Sequence, residues 1–102
     1  MKYIYRVENK DKIGCYSAYL PQFKNMYNKH NSSSLYPAPL FDKGIKRDFR
    51  YNEICGFLNK KQTLNWFNKR ELIFMARYGF ILKKVRVNKI TAIGEKQVLA
   101  IR

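Results

Sequence analysis

Acidic residues are scarce in this chain of 102 residues. Seven Asp and Glu stand against 21 Lys and Arg, for a formal net charge of +14. A surface so poor in carboxylates attracts polyanions and speeds their encounter. Soft metal ligands are sparse too. One histidine, His30, and two cysteines, Cys15 and Cys55, outside any Cys-x-x-Cys spacing, are too few for a structural zinc site or a disulfide framework. No metal and no cofactor is expected, and both cysteines read as buried, reduced thiols. Long apolar runs are missing. None approaches the roughly 18 to 20 residues of a membrane-spanning helix, and Met1 to Glu8 alternates polar with apolar residues instead of forming a signal peptide's apolar block. An intracellular protein with no membrane partner is the expectation. Walker-A, dinucleotide-fingerprint, EF-hand and nucleophile-elbow patterns are absent as well, so no catalytic residue is assigned.

What is present suffices for a core. Hydrophobic residues make up 46% and aromatics 16%, which argues against disorder despite the charge. The length suits one domain spanning 1–102. Residues 54–102 carry eleven basic and two acidic residues, against ten and five in 1–53, so the cationic excess is greater in the second half.

Met1–Glu8 reads as a strand with Tyr3, Tyr5 and Val7 on one face, followed by a polar turn closing at Gly14. Pro21 can open a short helix through Asn28, with Phe23, Met26 and Tyr27 aligned. Asn31–Gly44 contains a serine-rich tip and the Pro37-Ala38-Pro39 segment, which excludes helix and central strand. Ile45–Asn52 has no readable period. Ile54–Leu58 is a short apolar strand. Asn59 with Gln62, then Asn68 with Glu71, are capping-box pairs that start two helices. The first should bury Leu64 and Phe67, the second Leu72, Met75 and Ala76, with Gly79 as the left-handed residue past the end. Phe80–Asn88 is a strand whose phase changes at Lys83-Lys84, which signals a bulge or a charged edge. Two short strands, Ile90–Ile93 and Gln97–Ile101, follow. The fold class is α+β: a small, mostly antiparallel sheet with the helix pair packed on one face.

Three basic groups are candidate binding residues. Lys46, Arg47 and Arg50, with Lys43, follow the proline segment. Lys60, Lys61, Lys69 and Arg70 stand at the two helix starts, where free amides favour an anion. Lys83, Lys84, Arg86 and Lys89 lie along a strand, where blocking edge pairing explains the lysines. The helix-start group is therefore expected to matter more than the strand group. Trp66, two positions from Leu64, faces the other way and is either a core residue or a stacking platform. His30, in polar surroundings, reads as an exposed loop histidine.

The segments Tyr5-Arg6-Val7-Glu8, Pro37-Ala38-Pro39, Cys55-Gly56-Phe57, Gln62 to Phe67, Gly79-Phe80 and Gly94 to Val98 together resemble small uncharacterised proteins of tailed bacteriophages and prophages. That resemblance implies an accessory protein for host takeover or defence evasion in the host bacterial cytoplasm. A weaker resemblance runs to ADP-ribosyltransferases. It would match Arg6 to their early-strand residue and place Gln97 where they carry a catalytic glutamate, with no Ser-Thr-Ser between, so it implies a degenerate relative. The leading expectation is a non-enzymatic protein that binds nucleic acid or a nucleic-acid-bound host protein complex. The alternatives are an inhibitor docking on an acidic protein surface and a degenerate transferase.

Overall fold

The computed structural model describes residues 2–30 and 36–102, so the serine tip expected at Asn31–Ser34 lies outside the described residues. Five strands and three helices follow in the order β1 (Lys2–Glu8), α1 (Lys24–Lys29), β2 (Glu53–Gly56), α2 (Lys60–Trp66), α3 (Lys69–Arg77), β3 (Ile81–Val87), β4 (Lys89–Ile93) and β5 (Val98–Ile101). The fold is α+β with antiparallel pairing throughout, in two sheets instead of one: β1–β3, and β2–β5–β4. They are stitched together in two places. Tyr5 and Phe57 exchange both backbone hydrogen bonds at 2.7 Å, and Asn88, between β3 and β4, donates its N–H to the Ile101 carbonyl.

The β1–β3 ribbon is covered on both faces. Ile4, paired with Val85, packs with Val87, Val98 and Ala100 between the sheets. Val7, paired with Leu82, faces a larger cluster with Phe23, Met26, Phe57, Trp66, Phe67, Met75 and Phe80. This double burial explains the phase change at Lys83-Lys84. The β1–β3 register runs without a bulge from Lys2–Val87 to Glu8–Ile81; apolar residues simply switch from one core to the other. The register shift of the structure lies instead in β4, between Ile90 and Ala92.

Local signals set the helix ends. Asn59 Oδ1 accepts from the Gln62 N–H, and Asn68 with Glu71 forms a complete capping box. Gly79, at φ +85°, lets the Gly79 and Phe80 amides reach the Ala76 and Met75 carbonyls and closes α3. The buried face of α2 differs from expectation: Trp66 is buried with Phe67, while Leu64 is exposed. On α3, Met75 is buried, Leu72 is half-buried and Ala76 is exposed.

Candidate functional site

Most carboxylates in this protein serve its interior. Glu8, Asp42 and Glu53 are buried and Glu71 is half-buried, which leaves Asp11, Asp48 and Glu95 as the exposed acids. Of the 21 basic residues, 17 are exposed, so the exposed residues carry the whole net charge of +14 with few carboxylates among them. Glu8 accepts a bidentate pair from Arg102 at 2.8 and 2.7 Å and a third bond from Arg6 Nε at 3.1 Å. Burial alone pushes its carboxyl up, but Arg102, then Arg6 and Lys83, outweigh that and hold it below its ordinary value.

Two of the buried acids scaffold the segment from Tyr36 to Asn52. The Asp42 carboxylate accepts from the backbone amides of Glu95, Lys96 and Gln97 at the β4–β5 turn. A side chain at Gly94 would collide with that carboxylate, so glycine is required there. Glu53 accepts both guanidinium arms of Arg47 at 2.8 Å, the Arg50 amide at 2.7 Å and the Thr91 hydroxyl. Arg47 first, then Thr91 and the Arg50 amide, hold the Glu53 carboxyl far below the usual carboxylate range. Between these anchors the chain turns at Gly44 (φ +92°) and Lys46 (φ +54°).

This pinned segment displays large rings to solvent. Phe41 is 71% exposed, Phe49 56% and Tyr51 fully exposed. Lys43, Lys46 and Arg50, all exposed, stand among them. Phe41 and Phe49 are the residues that pattern reading missed. The available signal was their position beside Lys43 and Arg50 in a stretch with no hydrophobic period, where a ring has no core face to join.

Behind this segment lies a cavity of about 520 Å³. Phe49 contributes to its lining, with Tyr16, Tyr36 and Trp66. Its polar lining includes Arg6, His30, Glu53 and Gln97. His30 is not the exposed loop residue expected from sequence: its side chain is 1% exposed, its ring centroid 4.3 Å from that of Tyr36 with the two planes tilted. Burial pushes its pKa down, Glu71 opposes that, and Lys29 adds to it. Both cysteines line the cavity as thiols. Burial pushes Cys15 up to about 12 and Cys55 to about 11, which leaves neither as an available nucleophile near neutral pH. Arg6 and Gln97, the positions matched by the transferase resemblance, share this cavity. Glu53, the carboxylate in its lining, is fully engaged by Arg47, Arg50 and Thr91.

The predicted binding residues fall in different settings. Lys60, Lys61, Lys69 and Arg70 are exposed at the helix starts. The third amide of each helix is already capped by Asn59 or Asn68, and Glu71 places a carboxylate in the first turn of α3. Lys46 and Arg50 are exposed, whereas Arg47 is committed to Glu53. Trp66 is buried in the cavity wall and donates its indole N–H to the Tyr16 hydroxyl at 2.7 Å. Among the described residues there is no cluster of three or more potential metal ligands, and no helix is long and apolar enough to cross a membrane.

The fold and these sites define a small α+β protein with a cationic exterior, an aromatic-bearing basic segment and an aromatic-lined cavity. The chain belongs to the bacteriophage T4 Y00F protein family, whose family model it matches over residues 1–102. The resemblance to small phage proteins is thereby borne out. No curated protein and no solved structure matches the chain.

Proposed function

We propose that this phage protein is a non-enzymatic module that binds single-stranded nucleic acid in the host cytoplasm through the segment from Pro39 to Tyr51. One observation carries the reading: Phe41, Phe49 and Tyr51 are exposed among the exposed cations Lys43, Lys46 and Arg50, on a segment anchored through Asp42 and Glu53. Exposed rings of this size cost solvation unless something covers them. Rings interleaved with cations suit unpaired bases and their phosphates, because every base has a face to stack and every linkage a charge. Phosphate contacts of this kind strengthen binding without reading sequence. The exposed residues Lys60, Lys61, Lys69 and Arg70 add to the attracting field from outside this segment.

Anisotropy titration of a labelled single-stranded oligonucleotide at several salt concentrations tests the proposal. Three phosphate contacts on a single strand give a log K against log salt slope of about −2. A duplex of the same length should bind less well, since its bases are not free to stack. Failure to bind the single strand even at low salt would remove this reading and favour an inhibitor that docks on an acidic protein surface.

A further inference from the structure

The cavity contains a cation that its own carboxylate does not balance. Glu8 is one negative charge with Arg102, Arg6 and Lys83 all within 3.9 Å. Arg102 occupies both carboxylate oxygens, while Arg6 keeps one bond to Glu8 through Nε and gives Nη1 to the Cys55 carbonyl at 2.6 Å. Arg6 Nη2 has no hydrogen-bond partner among the described residues. A Cβ at Gly14 would stand 2.8 Å from Nη2, so the absence of a side chain there makes room for the guanidinium at the cavity wall. The Arg6 side chain is 13% exposed. A charge this shielded, sharing its one carboxylate with Arg102 and Lys83, favours a further anion, and a guanidinium edge matches the oxygens of a phosphate.

The remaining lining complements a flat, polar-edged ring. Tyr16, Tyr36, Phe49 and Trp66 provide aromatic surface. Gln97 is oriented by its Nε2–H bond to the Pro37 carbonyl at 2.6 Å, which fixes its side-chain oxygen as the free acceptor. We propose that this cavity binds a single nucleotide, with the phosphate on Arg6, the base among the rings and Gln97 accepting from a base amino group. The ligand class rests on the single-strand reading above, because Phe49 belongs both to the exposed segment and to the cavity lining.

Trp66, the sole tryptophan, supplies a direct probe: its indole N–H gives one resonance in a nitrogen–proton correlation spectrum, and it lies in the cavity wall. The full chain is titrated separately with a nucleoside monophosphate, its parent nucleoside, inorganic phosphate and benzoate. The monophosphate should shift the indole resonance saturably, with the nucleoside at least about tenfold weaker for want of the charge-assisted bonds. Inorganic phosphate, which can reach Arg6 but has no ring for the aromatic lining, and benzoate should each act at least about tenfold more weakly than the monophosphate. Arg6→Gln should weaken the monophosphate by about tenfold and spare the nucleoside. If that variant does not fold, the ratio of monophosphate to nucleoside affinity in the unaltered protein still decides. No saturable shift with millimolar monophosphate, equal affinity for the nucleoside, or an equal response to benzoate would each overturn the assignment. A saturable shift without oligonucleotide binding would remove the exposed-segment reading alone, and oligonucleotide binding without the shift would remove the cavity assignment alone.

Discussion

The Tyr16 hydroxyl oxygen lies 2.6 Å from His30 Nδ1 and accepts the Trp66 indole N–H over 2.7 Å. An indole N–H can only donate, and where the Tyr16 O–H donates to Nδ1 the neutral His30 ring carries its own proton on Nε2. That nitrogen faces Glu71 at 3.3 Å but makes no hydrogen bond. The neutral ring suits its burial, and protonation would place a charge in that buried setting.

Stability should therefore depend on pH in a defined window. The folded pKa of His30 lies below its ordinary 6.5, so the unfolded chain takes up the proton first. Its contribution is complete above about pH 6.5 and is lost as pH falls toward the depressed folded value. Glu8 and Glu53, both held low, contribute losses only at more acidic pH. Thermal melts between about pH 7.5 and 5.5 should show falling Tm in the native chain and a flatter profile in His30→Gln. Parallel profiles would show that His30 is not the titrating group.

Trp66→Ala should act on stability. Its side chain is buried between Phe57, Tyr36 and His30 and holds the Tyr16 hydroxyl. Removing a buried Trp costs about 3 to 5 kcal/mol. Denaturant unfolding gives the measurement, and a loss below about 1 kcal/mol would contradict this packing role.

Asp42→Ala should loosen the basic segment. It strips the Glu95, Lys96 and Gln97 amides of their shared acceptor, for a cost of about 2 to 4 kcal/mol. Hydrogen exchange should rise at those three amides and in residues 41–46 ahead of β1 and β3. Uniform acceleration across the chain would mean that Asp42 supports the whole core.

Phe41→Ala and Tyr51→Ala should weaken single-strand binding and leave Tm nearly unchanged, because both rings face solvent. Each base that loses its stacking partner costs about 1 to 3 kcal/mol, while the salt slope stays the same. A changed slope would assign these rings to shaping the cationic contacts instead of stacking.

Charge neutralisation separates a local site from a bulk field. Lys43/Lys46/Arg50→Gln should reduce affinity more than Lys83/Lys84/Arg86→Gln, although each removes three charges. Lys60/Lys61/Lys69/Arg70→Gln should fall between them per charge removed. Equal losses per charge would mean diffuse attraction, and the largest loss at the helix starts would move the site there from the Pro39–Tyr51 segment.

The caps were legible in the sequence because they are short-range. Asn59–Gln62, Asn68–Glu71 and Gly79 act within three or four residues, so spacing alone reveals them. The inward turn of the acids was not legible. Glu8 meets Arg102 across 94 positions, and Asp42 meets the Gln97 amide across 55. Nothing near either carboxylate marks it as interior. His30 was misplaced for the same reason: polar sequence neighbours hid rings contributed by Tyr16 and Phe67. The α2 face was misjudged because Leu64 and Trp66 offered two apolar directions, and only the position of the cavity wall selects between them.

The pairing of β1 with β3 also sets when the protein can form. Residues 2–8 are made before their hydrogen-bonding partners, residues 81–87, and Arg102 must follow before Glu8 gains its bidentate partner. Contacts this distant in sequence delay folding. Until residues 81–87 are made, the nascent chain carries β1 as an unpaired strand, and the core between the sheets closes only once residues 98–101 have followed.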